Sequence, residues 1–300
     1  MYNFTKEREK KMEKRISGHT RLLALLGSPV DHSGSPAMYN YSFERLGIDY
    51  AYVAFDVKED GMEQALDAVR LFNMRGVNVT MPGKNIAAQL VDELSPAASL
   101  IGAVNTIVNE DGKLTGHNTD GVGFVLNLKD NGIDIKGKKM TIAGGGGAAT
   151  AIQVQCALDG VRELTIFNKK DAFFERTVNK AKEIKEKLPE LVINVYDIDD
   201  TAKMKEEILD SDIFVNATIV GMKPLDDLSV VKDLSSFHKD LIVCDVVYNP
   251  IETKLLREAK EAGCKVIGGK GMLLWQGVEA FRLYTGQEMP VEEVKEKFYS

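Results

Sequence analysis

The sequence predicts a two-domain α/β fold, and three observations lead there. Apolar runs of strand length alternate with helical patterns almost from end to end, the mark of parallel α/β units. The alternation comes as two successive series, and 300 residues are more than one core comfortably fills. The last strong helical pattern follows the second series, which leaves it available to the first domain.

In the first series, strands are expected near Leu22–Gly27, Tyr50–Phe55 and Gly76–Thr80. Helices are expected near Ala37–Leu46 and Gly61–Phe72, with another after Lys84. Val104–Val108 and Lys113–Gly116 read as a hairpin, because Asp111-Gly112 suits the φ > 0 that a tight turn needs. A helix near Gly121–Asn131 leads into the second series. There the strands fall at Met140–Ala143, Glu163–Phe167, Leu191–Val195, Ile213–Asn216, Leu241–Val246 and Lys265–Ile267. Helices Met272–Tyr284 and Val291–Phe298 close the chain, and residues 1–18 read as a charged extension, either a tail or a frayed helix.

Composition excludes several classes of function. Lysine and arginine total 38 against 45 acidic residues, a net charge of −7. Such a chain lacks the basic footprint with which nucleic-acid binders release counterions, so no nucleic-acid partner is expected. An anionic ligand must be met by local cations or backbone dipoles. The three cysteines show no CxxC and the four histidines no HxxxH or HExxH pair, so no protein-bound metal is expected. No apolar stretch approaches the ~18 residues of a membrane span, and the first fifteen residues lack a secretory h-region. A cytoplasmic protein without a membrane partner is the expectation.

Met140-Thr141-Ile142-Ala143 is a short buried-type strand that runs directly into Gly144-Gly145-Gly146-Gly147-Ala148-Ala149. Gly144, Gly146 and Ala149 satisfy G-x-G-x-x-[GA], with a helical run Ala148–Leu158 behind them. Without Cβ atoms the backbone approaches a pyrophosphate closely, and the positive end of the helix faces the anion. The second domain is therefore expected to be a Rossmann-type, doubly wound dinucleotide-binding domain. After the next strand stands Asn168-Lys169-Lys170-Asp171, which offers both signs of charge. Asp171 suits ribose hydroxyls, whereas Lys169 is a point charge without the planar fork that arginine offers a phosphate. NAD and NADP are both candidates, with NAD expected to serve at least as well.

Three further segments carry polar groups at helix starts. In Gly27-Ser28-Pro29-Val30-Asp31-His32-Ser33-Gly34-Ser35-Pro36, Ser35 reads as an N-cap with Pro36 at the first helical position. Two hydroxyls at a helix N-terminus make a natural carboxylate site, though an ordinary capped helix reads the same way. Lys84 follows Asn78-Val79-Thr80-Met81-Pro82-Gly83 in the first turn of a helix, where the dipole disfavours a cation. Asp120, in Gly116-His117-Asn118-Thr119-Asp120-Gly121, stands at another helix start, and His117 reads as structural or exposed.

These segments join others in a fixed order. Ala103-Val104-Asn105-Thr106 follows Lys84. Beyond the glycine loop come Asn216-Ala217-Thr218, Val220-Gly221-Met222-Lys223-Pro224, Asp245-Val246-Val247-Tyr248-Asn249-Pro250 and Gly271-Met272-Leu273-Leu274-Trp275-Gln276-Gly277. The ordered set resembles the shikimate dehydrogenase family, and within it the quinate/shikimate dehydrogenase branch.

The resemblance implies an N-terminal substrate domain of residues 19–119 plus 270–300, an NAD(P)-binding domain of residues 120–269, and a cleft between them. It implies hydride transfer at C3 of shikimate or quinate, with Lys84 and Asp120 as the acid–base pair. Ser33 and Ser35 would hold the substrate carboxylate, and Thr80, Asn105, Tyr248 and Gln276 would bond hydroxyls. Tyr52 is carried over from the quinate-using branch alone. On the cofactor side it points to Gly144, Gly145, Gly146, Gly147, Ala148, Asn168, Lys169, Lys170, Asp171, Lys223, Val246, Val247, Tyr248, Asn249 and Gly269. A monomer or homodimer is implied. Gly145 stands where the family usually has alanine, which is expected to loosen the loop slightly. Two rival readings are a dehydrogenase for an aminated shikimate analogue and a catalytically silent NAD(P) sensor.

Overall fold

The computed structural model describes residues 16–299, so the first fifteen residues of the expected extension lie outside the described residues. The chain divides into two compact units. One comprises residues up to Thr119 together with Gly277 onward, and the other is Asp120–Gln276.

The first unit is built on β1 (Arg21–Gly27), α1 (Ser35–Leu46), β2 (Tyr50–Asp56), α2 (Met62–Leu71), β3 (Gly76–Val79) and α3 (Lys84–Leu90). β4 (Glu93–Leu94), α4 (Pro96–Ile101), β5 (Thr106–Glu110) and β6 (Lys113–His117) follow. The six strands lie in the order β2-β1-β3-β5-β6-β4. β1 pairs in parallel with β2 and β3, but β5 runs antiparallel to both β3 and β6. The sheet is therefore mixed rather than a run of parallel units, because the tight turn at Asp111 (φ 53°) and Gly112 (φ 92°) reverses the chain at once. Ala24, Leu26, Val77, Val79 and Ile107 of the sheet pack with Met62, Leu66 and Val69 of α2 in a buried core. The helix expected after Lys84 is α3, and a second short helix, α4, follows it beyond β4. α4 has its own start signal, Ser95, whose Oγ accepts from Ala98 N–H at 3.2 Å, with Pro96 behind it.

The second unit begins with α5 (Asp120–Asp130), β7 (Lys139–Ala143), α6 (Gly147–Leu158), β8 (Glu163–Asn168), α7 (Phe174–Lys187) and β9 (Val192–Asp197). It continues through α8 (Thr201–Leu209), β10 (Ile213–Asn216), β11 (Ile242–Asp245), α9 (Lys254–Glu261), β12 (Lys265–Ile267) and α10 (Gly269–Thr285). Its strand order is β12-β11-β10-β7-β8-β9, and every pairing is parallel. This is the doubly wound, Rossmann-type order, in which β8 and β10 leave β7 on opposite sides. β7 and β10 are buried along their whole length, as a central parallel sheet requires. The unit boundary falls inside α10, between Gln276 and Gly277. α11 (Val291–Val294) and a π-helical turn, Lys295–Tyr299, end the described chain in the first unit.

Candidate active site

In the first unit, backbone hydrogen bonds gather the expected residues at the carboxyl ends of β1 and β3. Thr80 N–H donates to Leu26 O and Ser28 N–H to Met81 O, which joins the loops that follow the two strands. Val79 N–H donates to Asn105 O, and Val104 N–H donates to Lys84 O at 2.9 Å. Lys84 opens α3 behind Gly83, and no side chain caps that helix. Asn105 is buried, with its Oδ1 accepting from Thr119 N–H at 2.8 Å, one residue ahead of Asp120.

A buried polar web stands behind these groups. Tyr52 hydroxyl donates to Asn78 Oδ1 at 2.8 Å. Asn78 Nδ2 donates to Thr106 Oγ1 and to Asn105 O, and Thr106 hydroxyl donates to Asn105 Oδ1. Tyr52 lies in the interior, its ring stacked 4.5 Å from that of Tyr39. The hydroxyl expected to meet a ligand is thus spent on Asn78. Burial pushes the Tyr52 phenol well above its ordinary pKa, so it stays protonated.

The loop before α1 differs from the expectation in its cap. Gly34, not Ser35, is the N-cap, and Ser33 Oγ accepts from Ser35 N–H at 3.2 Å. Ser35 is thus the first residue inside the helix. Both hydroxyls remain half-buried at the helix start. His117 is half-buried, and burial lowers its pKa.

In the second unit, register brings the cofactor-side residues together. Asn216 pairs with both Ala143 and Asp245, so the loops after β7, β10 and β11 leave the sheet at one level. Gly144, at φ 124°, passes so close to Ala217 that a Cβ would lie 2.6 Å from its carbonyl oxygen. Gly146 and Gly147 are exposed, and a Cβ on either would meet nothing within 4 Å. No side chain caps α6. The donors facing outward there are bare backbone N–H groups at the positive end of a 12-residue helix, which fits a pyrophosphate.

Gly145 behaves otherwise than expected. A Cβ there would lie 2.4 Å from Thr177 Oγ1 and 2.6 Å from Asn168 Nδ2, so the glycine makes room for packing rather than loosening the loop. Asn168 Nδ2 in turn donates to Thr177 Oγ1 at 2.9 Å. Asp171 accepts Phe173 N–H on Oδ1 at 2.9 Å, ahead of α7, while Lys169 and Lys170 are exposed. Lys223, Tyr248 and Asn249 are exposed on the loops after β10 and β11. Gly269 lies against the Val246 backbone, where a Cβ would fall 2.3 Å from the carbonyl oxygen. Gln276 Nε2 donates to Leu273 O, and Gly123 of α5 lets that helix close on the Gln276 backbone.

Sequence reasoning missed two features. Ile219 and Met222 are exposed apolar residues flanking Val220 and Gly221, a position that only the folded loop reveals. Asp245, the last residue of an apolar strand, is buried and hydrogen-bonded, and burial pushes its pKa up to about 6. Among the described residues no group of three or more His, Cys, Asp or Glu is placed to hold a metal ion, and no helix is long and apolar enough to cross a membrane.

A parallel doubly wound sheet with an uncapped glycine loop defines a dinucleotide-binding class of α/β protein. The model of the shikimate dehydrogenase substrate binding domain matches residues 25–107, and that of the shikimate 5'-dehydrogenase C-terminal domain matches residues 269–297. The chain is 48% identical over 286 residues to shikimate dehydrogenase (NADP(+)) of Listeria monocytogenes, covering 95% of this chain and 98% of the relative. It is 46% identical over 281 residues to quinate/shikimate dehydrogenase of Escherichia coli, covering 94% and 97%. The crystal structure of shikimate 5-dehydrogenase from Listeria monocytogenes in complex with shikimate and NAD matches with a TM-score of 0.92 at 48% identity, covering 94% of this chain and 98% of that one. The chain belongs to the shikimate dehydrogenase family.

Proposed function

We propose that this protein is an NAD(P)-dependent dehydrogenase that interconverts shikimate and 3-dehydroshikimate, quinate and 3-dehydroquinate, or both pairs, by hydride transfer at C3. The observation that carries the reading is the near-full-length likeness to a shikimate dehydrogenase crystallised with shikimate and NAD. The bare backbone at Gly146 and Gly147 supports the same chemistry independently. The chemistry supplied by a nicotinamide dinucleotide bound at that loop is the acceptance and return of a hydride.

The first unit, with the end of the chain, is the substrate-binding part, and the second is the dinucleotide-binding part. Lys84 and Asp120 form the proton-transfer pair. A secondary alcohol yields hydride only as its proton is removed, so a base must lie within hydrogen-bond reach. Neutral Lys84 takes that proton in oxidation and its ammonium returns it in reduction, while Asp120 orients the amine and shares the proton. Ser33 and Ser35 donate to the substrate carboxylate at the start of α1, where the helix dipole adds to the attraction. Thr80, Asn105, Tyr248 and Gln276 bond the ring hydroxyls, and Tyr52 contributes through Asn78.

On the dinucleotide side, Gly144 to Ala148 receive the pyrophosphate, and Asn168 to Asp171 the adenosine ribose. Lys223, Val246 to Asn249 and Gly269 line the other end. NAD serves at least as well as NADP, because Asp171 keeps a carboxylate at the strand end and neither lysine offers a guanidinium fork. The enzyme works in the cytoplasm as a monomer or homodimer.

Initial rates of NADH and NADPH formation with shikimate and with quinate test the reading. Turnover of at least one acid is expected, with kcat/KM for NAD no lower than for NADP. A strict NADP preference removes the cofactor assignment. Dinucleotide binding without turnover of either acid or of an aminated analogue removes the dehydrogenase assignment, and turnover of the aminated analogue alone moves the substrate class.

A further inference from the structure

Asp245 closes β11 and is 2% exposed, yet none of the roles proposed above falls to it. Its Oδ1 accepts from Asn216 Nδ2 at 3.0 Å and from Val247 N–H at 3.0 Å, and its Oδ2 accepts the Thr253 hydroxyl at 2.7 Å. Those donors lie on three separate segments: the end of β10, the loop after β11, and the N-cap of α9.

Asn216 extends the web into the next turn. Its Nδ2 also donates to Val220 O at 2.9 Å, and its Oδ1 accepts both the N–H and the hydroxyl of Thr218. Thr218 Oγ1 then accepts Val220 N–H at 3.0 Å. Gly221, at φ 101°, runs against Thr253, where a Cβ would lie 3.2 Å from Cγ2. One carboxylate thus stands at the root of both loops that carry Lys223 and Val246 to Asn249. Its partners are neutral donors, and burying a carboxylate among them costs stability, in keeping with its raised pKa.

We propose that Asp245 is a positioning residue for dinucleotide binding: it sets the 216–223 loop through Asn216 and the 246–249 loop through Val247. The inference rests on the dinucleotide chemistry proposed above and assigns Asp245 no contact with substrate or dinucleotide. Removing the carboxylate leaves Asn216, Val247 and Thr253 each short of a buried acceptor, and an unmet buried donor is the costly outcome. Asparagine keeps an oxygen for the first two and offers an N–H to the Thr253 oxygen.

The test compares the unaltered protein with Asp245→Ala, Asp245→Asn and Thr253→Val. Three readouts are needed: NADH and NADPH binding by fluorescence titration, amide exchange in the ligand-free protein, and KM against kcat. Asp245→Ala is expected to weaken dinucleotide binding about tenfold or more, raise the KM for the cyclic acid by a smaller factor because Tyr248 shares the 246–249 loop, and speed exchange at Thr218, Val220 and Val247. Asp245→Asn is expected to restore most of the binding and protection. Should Asp245→Ala not fold, Thr253→Val reads the same web from its other side, with faster exchange at Val247 and weaker binding expected. Folded variants with unchanged exchange at these amides and unchanged dinucleotide affinity overturn the positioning role. An unaltered protein that binds neither dinucleotide overturns the functional reading instead, and amide exchange still decides whether Asp245 holds the two loops.

Discussion

In the first unit two candidate site residues, Tyr52 and Asn105, are side chains held by other side chains; in the second the glycine loop is bare backbone. Tyr52, Asn78, Asn105, Thr106 and Thr119 form a buried polar web behind Thr80 and Lys84. In the second unit, Gly144 has no room for a side chain, and Gly146 and Gly147 present exposed backbone. The difference fits the ligands proposed above. A ring carrying several hydroxyls is told apart by directional donors and acceptors, each of which needs a fixed rotamer. A pyrophosphate needs close approach and many N–H groups, which a glycine loop at a helix start supplies without side chains. Asp245 marks where the contrast breaks down, since a buried side-chain web underlies the backbone loops there too.

Substitutions that remove a functional group in the first unit should strike chemistry, and those that add atoms in the second should strike binding. The largest expected effect is that of Lys84→Ala, a fall in kcat of about 10²–10⁴, the usual worth of a general acid or base. Dinucleotide affinity should stay within about threefold; a variant with near-normal kcat would remove Lys84 from the proton-transfer pair.

Next comes Asp245→Asn, read by thermal unfolding from pH 4 to pH 7. Burial holds the folded pKa of Asp245 near 6, above its ordinary value of 3.8. The stability it contributes is therefore present below the ordinary value and is lost as pH rises through 6. Asparagine has no such loss, so the variant should gain on the unaltered protein by roughly 2–3 kcal/mol as pH rises across that span. A stability gap that does not change with pH counts against the buried, ionising carboxylate.

Gly144→Ala sharpens the comparison from the other side. A methyl group 2.6 Å from Ala217 O, on a backbone at φ 124°, forces the loop to shift. Dinucleotide dissociation constants should rise about tenfold, with the KM for the cyclic acid little changed. An equal loss of both affinities would show that the loop serves more than the dinucleotide.

What the sequence made legible was local. The β5–β6 hairpin could be read from Asp111-Gly112, and the glycine loop from the strand before it and the helix after it. The second helix beyond Lys84, which was not expected, carried a readable sign, Ser95-Pro96, the same pair of residue types as Ser35-Pro36. There Ser95 caps its helix, whereas Gly34 precedes the helix that Ser35 opens, and Ser33 Oγ accepts Ser35 N–H. Two identical dipeptides thus stand one residue apart relative to their helix starts. Long-range partnerships left no trace in the text. Asp245 meets Asn216 across 29 residues, where the paired strands β10 and β11 end together, and Tyr52 of β2 meets Asn78 of β3 across 26, over the intervening β1. Gly145 likewise reads as slack until Asn168 and Thr177 are seen against it.

The central claim is that this chain moves a hydride from the C3 carbinol carbon of its cyclic acid. It is tested most directly with shikimate and quinate that carry deuterium on that carbon, oxidised to completion by the unaltered enzyme. The account predicts that the deuterium is recovered in the reduced dinucleotide, one atom for each molecule of acid oxidised. Deuterium released into the water, or retained in the product, would contradict it.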